Sequence, residues 1–204
     1  MNINYIKYKT VKDKKNGENM AYEKTFANPA PLGLFGFGIT TLLLSLHNAG
    51  IIELSMVILA AATCLGGIAQ IIAGIFEMKF QNTFGATVFV SFGFFWLSMV
   101  LIWILPGIGG VQPADPISMG FYLFIFGCFT SLMFVSSLKH TKILQLLFAL
   151  VSILFFLLAI ADFTEIGIIK LIGGYLGILL GAAAIYGCIG QIINNDWEKD
   201  IFKL

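Results

Sequence analysis

The sequence has few charged residues, few cysteines and few histidines, and each shortage excludes a class of protein. Only 11% of its 204 residues are charged, whereas a soluble domain carries about 25%. The three cysteines, Cys64, Cys128 and Cys188, lie in separate apolar runs without a second Cys or a His at metal-ligand spacing. His47 and His140 have no nucleophile or carboxylate at a catalytic spacing. Since phosphate-binding loops, zinc motifs and nucleophile elbows are also missing, we expect no soluble domain, no enzyme, and no metal or cofactor site.

Long apolar runs make up most of the chain, which is 58% hydrophobic with a mean hydropathy of +0.92. A helix needs about 20 apolar residues to cross roughly 30 Å of hydrocarbon. Six charge-free runs approach or exceed that length: 31–47, 54–76, 84–105, 117–138, 143–161 and 171–193. The sequence therefore predicts an all-α integral membrane protein with six transmembrane helices in a domain over residues 29–193.

The lysines indicate the orientation, because the chain has no arginine. Of the 12 lysines, all but Lys170 lie in the two terminal segments and in two alternate loops. Basic residues collect on the cytoplasmic side of membrane proteins, so both termini are expected to be cytoplasmic, as an even number of spans requires. Residues 1–28 and 194–204 are predicted to be polar cytoplasmic tails, the first of them mobile. The lysines of that first tail fit either a contact with anionic lipid or a solvated leader.

Two prolines mark the start of the first predicted helix, within the stretch Asn28-Pro29-Ala30-Pro31-Leu32-Gly33-Leu34. Proline has no N–H to donate, so a helix can begin there but not pass through. Asn28 stands at the N-cap position, where its amide can bond the first free N–H groups. Unpaired N–H groups at the positive end of a helix suit a small anion. A capped helix start without any ligand fits the same residues.

Polar and small residues interrupt three of the apolar runs. Gln70 lies near the middle of the second run, where an unpaired amide is costly, so it is expected to bond another helix, water or a substrate. In the third run one helical face carries hydroxyl groups that are candidates for a polar path, although hydroxyls can also bond their own helix: Thr87, Ser91 and Ser98. The sixth run has a glycine ridge for close packing within or between protomers: Gly173, Gly177 and Gly181.

Two of these stretches together resemble the acetate uptake transporter family, also called the succinate–acetate permease family. The motif NPAPLGL begins at Asn28, and GGIAQIIAGIFE runs from Gly66 to Glu77; the resemblance extends over residues 27–195. It implies six-helix protomers, each with its own pore, assembled as a hexamer in the plasma membrane. It also implies acetate as substrate, with succinate in some members, and makes protons a candidate partner.

The resemblance places a hydrophobic constriction on Phe37, Phe92 and Val151, where family members have Phe, Tyr and Leu. This chain therefore lacks one hydroxyl and one methylene there. A single methylene discriminates by about 1–3 kcal/mol in an apolar site, so we expect a slightly wider, more apolar constriction that also accepts propionate or lactate. The other candidate path residues are Asn28, Leu32 and Gly33 at one mouth and Gln70, Thr130 and Gln145 as polar helpers.

A small monocarboxylate, partly protonated at mildly acid pH, can cross a membrane protein without charged residues inside its spans. Neutral donors, a helix N-terminus and an apolar constriction suffice, although a neutral solute would be served equally well. The family resemblance selects a transporter or channel for acetate and related short carboxylates, including propionate, lactate and succinate. The alternative is a non-transporting membrane scaffold whose glycine ridges serve only assembly. No nucleic acid partner is expected.

Overall fold

The computed structural model describes residues 8–12, 19–24 and 27–204. Two short strands, β1 (Tyr8–Lys12) and β2 (Asn19–Lys24), pair antiparallel ahead of the first helix. Tyr8 stands opposite Lys24, and the register shifts between Thr10 and Lys12. The sequence did not predict this pair, because the segment has no sustained apolar alternation. The mobility expected of the N-terminal tail stays a prediction.

Among the described residues, six helices are long and apolar enough to cross a membrane, which confirms the predicted all-α class. They are α1 (Ala30–Asn48), α2 (Met56–Lys79), α3 (Thr83–Ile108), α4 (Pro116–Ser137), α5 (Lys142–Thr164) and α6 (Gly167–Trp197). Most bounds agree with the apolar runs to within a few residues. Helix α6 is longer at both ends, because it continues through polar residues such as Lys170 and Asn194 that a search for charge-free runs leaves out.

Helix α1 begins where the two prolines predict. Ala30 is its first residue, Pro29 occupies the N-cap position, and Pro31 follows in the first turn, where a missing N–H costs little. Asn28 lies one position further out than expected. Its Oδ1 nevertheless accepts a hydrogen bond from the Ala30 backbone N at 3.1 Å, so it performs the predicted capping of a free N–H group.

The helices pack in the ring order α3–α2–α1–α6–α5–α4. Aromatic side chains complete the ring, because α3 meets α4 and α5 through them. The ring of Phe95 lies 5.7 Å from Tyr122 and 5.2 Å from Phe155 between centroids, and Phe84 lies 5.3 Å from Phe148. These large side chains keep the backbones of α3 and α5 apart, and an interior space remains between α1, α3 and α5.

Helix α2 contains a π-helical stretch, Ala62–Ala69. Helix α1 packs closely against it, since a Cβ on Gly36 would lie 2.2 Å from the Leu65 carbonyl oxygen. Thr40 of α1 donates a hydrogen bond through Oγ1 to the Ala61 carbonyl oxygen at 3.2 Å, directly before the stretch. Such π-helical turns are frequent at functional sites, and Gln70 follows this one immediately.

The glycine ridge of α6 packs inside the protomer, with Gly177 and Gly181 against α1 and Gly173 against α5. A Cβ on Gly181 would lie 2.9 Å from the Gly38 carbonyl oxygen, and a Cβ on Gly38 would lie 3.1 Å from the Gly181 carbonyl oxygen. The two backbones therefore touch at a point where both lack side chains. Of the two predicted uses of the ridge, the structure shows packing within the protomer.

Candidate functional site

Two cavities lie inside the helix bundle, one toward each end. One has a volume of about 250 Å³, and its lining includes Ala30 in the first turn of α1; we term it the terminal cavity. The other has a volume of about 470 Å³ and extends to Pro113 in the loop between α3 and α4; we term it the distal cavity. The residues that line both cavities are Phe37, Phe92 and Val151. We term these three residues the partition.

The partition is a closed apolar contact. The rings of Phe37 and Phe92 meet edge to face with their centroids 5.3 Å apart, and Phe92 stacks on Phe155 at 6.2 Å. Phe37, Phe92 and Val151 are only 8%, 3% and 4% exposed. The structure thus brings together the three residues that the family resemblance assigned to a hydrophobic constriction. Their role in selecting a substrate stays a prediction.

The glycines beside Phe37 explain why its ring points into the bundle. Gly36 lies against the Leu65 carbonyl of α2, and Gly38 lies against the Gly181 carbonyl of α6. Both flanks of α1 are therefore in close backbone contact with neighbouring helices. The side chain between them faces the remaining direction, which is the interior space shared with α3 and α5.

Polar side chains line the terminal cavity. Glu77, at the end of α2, is 3% exposed, and its Oε2 accepts a hydrogen bond from Asn82 Nδ2 at 2.7 Å. Asn82 in turn accepts a hydrogen bond from Gly85 N at 3.1 Å and so caps α3. The ring of His140 stacks on Phe84 with a centroid distance of 4.4 Å. One carboxylate and one imidazole are therefore the titratable side chains among the residues that line this cavity.

Gln70 is a fully buried residue of the terminal cavity with a half-satisfied amide. Its Nε2 donates to the Gly66 carbonyl oxygen, one turn back on its own helix, at 2.8 Å. Its Oε1 has no hydrogen-bond partner among the described residues. A carbonyl oxygen can only accept, so the amide nitrogen is fixed toward Gly66 and the free oxygen is purely an acceptor. The predicted link to another helix is not formed.

Asn28 ties the start of α1 to α6. While its Oδ1 accepts from Ala30 N, its Nδ2 donates to Gln191 Oε1 at 3.1 Å. Gln191 lines the terminal cavity, whereas Asn28 does not. Asn28 therefore does not line the cavity itself but bonds Gln191, which does. Its role at the mouth of the path stays a prediction.

The first turn of α1 has no free N–H group to offer an anion. Leu32 N and Gly33 N donate to the Pro29 carbonyl oxygen at 3.1 and 3.3 Å. Ala30 N is bonded to Asn28, and proline at position 31 has no N–H. The expectation of an anion at this helix start is therefore corrected. The hydrogen bonds fit the alternative, a capped start without a ligand.

Three further predicted path residues lie outside both cavities. Leu32 is 43% exposed on the outer surface of the bundle. Gly33 is a packing position, since a Cβ there would lie 2.4 Å from the Phe89 ring. Thr130 is buried, and its hydroxyl donates to the Gly127 carbonyl oxygen of its own helix at 3.0 Å. None of the three is among the lining residues of either cavity, and their roles stay predictions.

Gln145 also lies outside both cavities, and it holds the loop before α5. Its Nε2 donates to the carbonyl oxygens of Leu138 and His140 at 3.3 and 3.0 Å. Its Oε1 accepts from Lys142 Nζ at 3.1 Å. Since His140 lines the terminal cavity, Gln145 contributes to the wall of that cavity only by fixing this loop.

Comparison with known proteins identifies the family. The profile of the GPR1/FUN34/yaaH family matches residues 12–199. The chain belongs to the GPR1/FUN34/yaaH family. The succinate-acetate/proton symporter SatP of Escherichia coli is 43% identical over 178 residues, which cover 87% of this chain and 95% of SatP. The family resemblance drawn from the two motifs is therefore confirmed.

Other members of the GPR1/FUN34/yaaH family extend the comparison. The structure of the bacterial acetate channel SatP matches with a TM-score of 0.86 and 43% identity, covering 87% of this chain and 98% of that one. Ammonia transport outward protein 2 of Saccharomyces cerevisiae is 42% identical, covering 82% of this chain and 62% of the yeast protein. The names of these relatives describe transporters or channels.

The sequence analysis did not single out two polar residues that lie next to the partition. Thr41 lies one helical turn after Phe37, and Trp96 lies one turn after Phe92; both line the distal cavity. Thr41 is 5% exposed and Trp96 is 3% exposed. Neither Thr41 Oγ1 nor Trp96 Nε1 has a hydrogen-bond partner among the described residues. The four-residue spacing from the predicted constriction was the signal that could have found them.

The hydroxyl stripe predicted on α3 does not line either cavity. Thr87 is exposed on the outside of the bundle. Ser98 donates to the Phe95 carbonyl oxygen at 2.7 Å and also shares a hydrogen bond with the Tyr122 hydroxyl. The structure therefore does not place a polar path on this face, since Ser98 bonds its own and a neighbouring helix while Phe92 and Trp96 line the cavities.

Proposed function

We propose that this protein transports acetate and related short carboxylates across the plasma membrane as a multi-pass transporter or channel. The observation that carries the proposal is the pair of cavities that share Phe37, Phe92 and Val151 as lining residues. This divided path lies in a chain that is 43% identical to a succinate-acetate/proton symporter. The same chain matches a bacterial acetate channel over 87% of its length.

The apolar partition favours the protonated acid over the carboxylate. An ionised carboxylate is far more costly to place in apolar surroundings than a neutral group. Gln70 Oε1, on the terminal side, can accept a hydrogen bond from the O–H of an acid but cannot bond a carboxylate oxygen. Passage of the acid moves one proton with each carboxylate. Protons are therefore proposed as the second transported species, together with acetate, propionate, lactate or succinate.

The lysine distribution supports an orientation in which the terminal cavity opens to the cytoplasm. Residues 1–28 and 194–204 are then cytoplasmic tails of a transmembrane domain over 29–193. As the family resemblance implies, we propose a homo-hexamer in the lipid bilayer, with a separate path in each protomer. The proposed function involves no catalytic step and no cofactor.

Uptake of radiolabelled acetate into liposomes that contain only this protein tests the proposal. With an inward proton gradient we expect saturable uptake above that of empty liposomes, and competition by unlabelled propionate, lactate or succinate. The absence of uptake would favour the non-transporting scaffold. Labelled methylammonium in a parallel assay examines the activity named for the yeast relative, and transport of methylammonium without acetate would contradict the proposal.

A matched pair of variants tests whether acetate passes the partition. Val151→Phe places a ring in the partition, whereas Val135→Phe places the same ring on the outer surface of α4, where the valine is 64% exposed. We expect Val151→Phe to remove most acetate uptake and Val135→Phe to retain it. Equal uptake by the two variants would show that the path lies elsewhere.

A further inference from the structure

Residues 201–204 fold back along α6, and we term them the strap. Helix α6 ends at Trp197, and the chain reverses at Glu198, whose backbone is left-handed with a φ of 50°. Lys199 N then donates a hydrogen bond to the Asn194 carbonyl oxygen at 3.2 Å. The strap therefore runs back beside the helix that the chain has just left.

Asn194 holds the strap against α6 through both ends of its amide. Its Nδ2 donates to the Phe202 carbonyl oxygen at 2.8 Å, and its Oδ1 accepts from Phe202 N at 2.8 Å. Tyr186 adds a third hydrogen bond from its hydroxyl to the Lys203 carbonyl oxygen at 3.2 Å, and its ring centroid lies 5.4 Å from that of Phe202. Three hydrogen bonds to a segment of this length fix its position and its register on the helix.

The strap turns alternate side chains toward the protein. Ile201 and Lys203 are exposed, whereas Phe202 and Leu204 are half-buried, as expected of an extended segment whose successive side chains point to opposite sides. Gly190 of α6 leaves room for the inward pair, since a Cβ there would lie 2.7 Å from Leu204 Cδ2 and 3.0 Å from Phe202 Cβ. The fit of the strap therefore depends on a missing side chain in α6.

Leu204 reaches the terminal cavity, which it lines, and it packs against the apolar core. The partition closes the inner end of this cavity. Helix termini and loops form the other end, where the lining includes Ala30 at the start of α1, Asn82 before α3 and His140 before α5. Leu204 belongs to this outer end, because it contacts Gly190 toward the end of α6. Its side chain therefore lies at the mouth of the terminal cavity.

We propose that the strap is an autoinhibitory cover of the terminal cavity, in which Leu204 closes the mouth and Asn194 holds the cover in place. The two bonds of the Asn194 amide join neutral groups, and each such bond contributes little net free energy. The strap can therefore be released while α6 stays helical, and its release opens the mouth. The effect on uptake rests on the proposed transport function, whereas the covering of the cavity does not.

Thiol labelling tests the cover independently of transport. Ala30→Cys places a thiol at a lining position of the terminal cavity. Its reaction with a water-soluble maleimide is followed in the purified full-length protein by mass spectrometry of the peptide that contains position 30, which separates it from the exposed Cys64 and Cys128. Because Asn194→Leu removes two hydrogen bonds, we expect it to raise the labelling rate about tenfold. Asn195→Leu, at the exposed neighbouring position, is the control and should leave the rate unchanged.

A second variant keeps the Asn194 bonds and shortens the closing side chain. We expect Leu204→Ala to raise both the labelling rate at position 30 and the uptake of labelled acetate into liposomes. Ile201→Ala truncates an outward side chain of the same strap, which is 50% exposed, and should change neither. Labelling rates that are equal in Asn194→Leu, Leu204→Ala and the two controls would overturn the cover.

The two measurements also separate the cover from the proposed function. Faster labelling in Asn194→Leu and Leu204→Ala, without acetate uptake by any variant or by the unaltered protein, would support the cover and refute the transport proposal. Faster labelling with acetate uptake that equals that of the unaltered protein would overturn the autoinhibitory role, because the mouth would then not limit passage.

Discussion

Val151→Leu is the most direct test of how the partition selects its substrate. Val151 lies on α5, is 4% exposed and shares the partition with Phe37 and Phe92. The variant adds one methylene to a contact that already excludes solvent. Because the cavities meet at this contact, the added volume must reduce the opening unless the helices around it move apart.

The expected effect is a change in selectivity, accompanied by a moderate loss of stability. Volume changes of one methylene are tolerated in cores at a cost of about 1–3 kcal/mol, and one methylene discriminates between substrates by about 10–200-fold in an apolar site. Lactate is larger than acetate, so its flux falls more than that of acetate when the opening becomes narrower. We therefore expect Val151→Leu to lower the lactate-to-acetate flux ratio by about tenfold or more.

The assay measures uptake of the two acids together, with different labels, into the same liposomes. Using a ratio removes differences in the amount of reconstituted protein. Val135→Leu, which adds the same methylene to an exposed position of α4, is the control and should leave the ratio unchanged. If Val151→Leu also leaves it unchanged, the neighbouring helices compensate for the methylene and the size argument is wrong.

Four further substitutions test single residues. Phe37→Ala should widen the partition and raise acetate flux or loosen size selectivity; unchanged fluxes of acetate, lactate and succinate would show that its ring does not limit passage. Gln70→Leu should lower acetate uptake, because it removes the buried acceptor on the terminal side of the partition; unchanged uptake would remove Gln70 from the mechanism. Asn28→Ala should cost on the order of 1 kcal/mol and weaken transport without affecting insertion, because Gln191 loses its donor; normal acetate affinity would remove Asn28 from the mechanism. Phe92→Tyr should lower the half-saturating acetate concentration by adding a hydroxyl, and an unchanged value would place that hydroxyl out of reach.

The number and limits of the helices could be predicted because hydrocarbon imposes a length and excludes charge. The start of α1 at Ala30 followed from the prolines beside it. The extra turns of α6 could not be found in the same way. Lys170 and Asn194 lie in helix beyond the apolar run, and a criterion based on charge-free length ends before them.

The inward face of each helix was much harder to predict. The spans are apolar on all sides, so hydrophobicity does not distinguish the side that faces lipid from the side that faces the path. Hydroxyl groups were also a poor guide, because Thr130 and Ser98 bond carbonyl oxygens of their own helices. What orients Phe37 is the close approach of neighbouring backbones at Gly36 and Gly38, which is a property of the assembled bundle.

The unpaired groups on the two sides of the partition have opposite chemistry. Two unpaired donors belong to Thr41 and Trp96, which line the distal cavity, and one unpaired acceptor, Oε1, belongs to Gln70, which lines the terminal cavity. A carboxylate has no proton to donate to an acceptor such as Gln70 Oε1, whereas the protonated acid has one. Between them lies an apolar contact where a charge is most costly. An apolar contact of this kind favours the neutral acid over the carboxylate, so the proposed transport would carry one proton with each acid molecule without a charged residue in the partition.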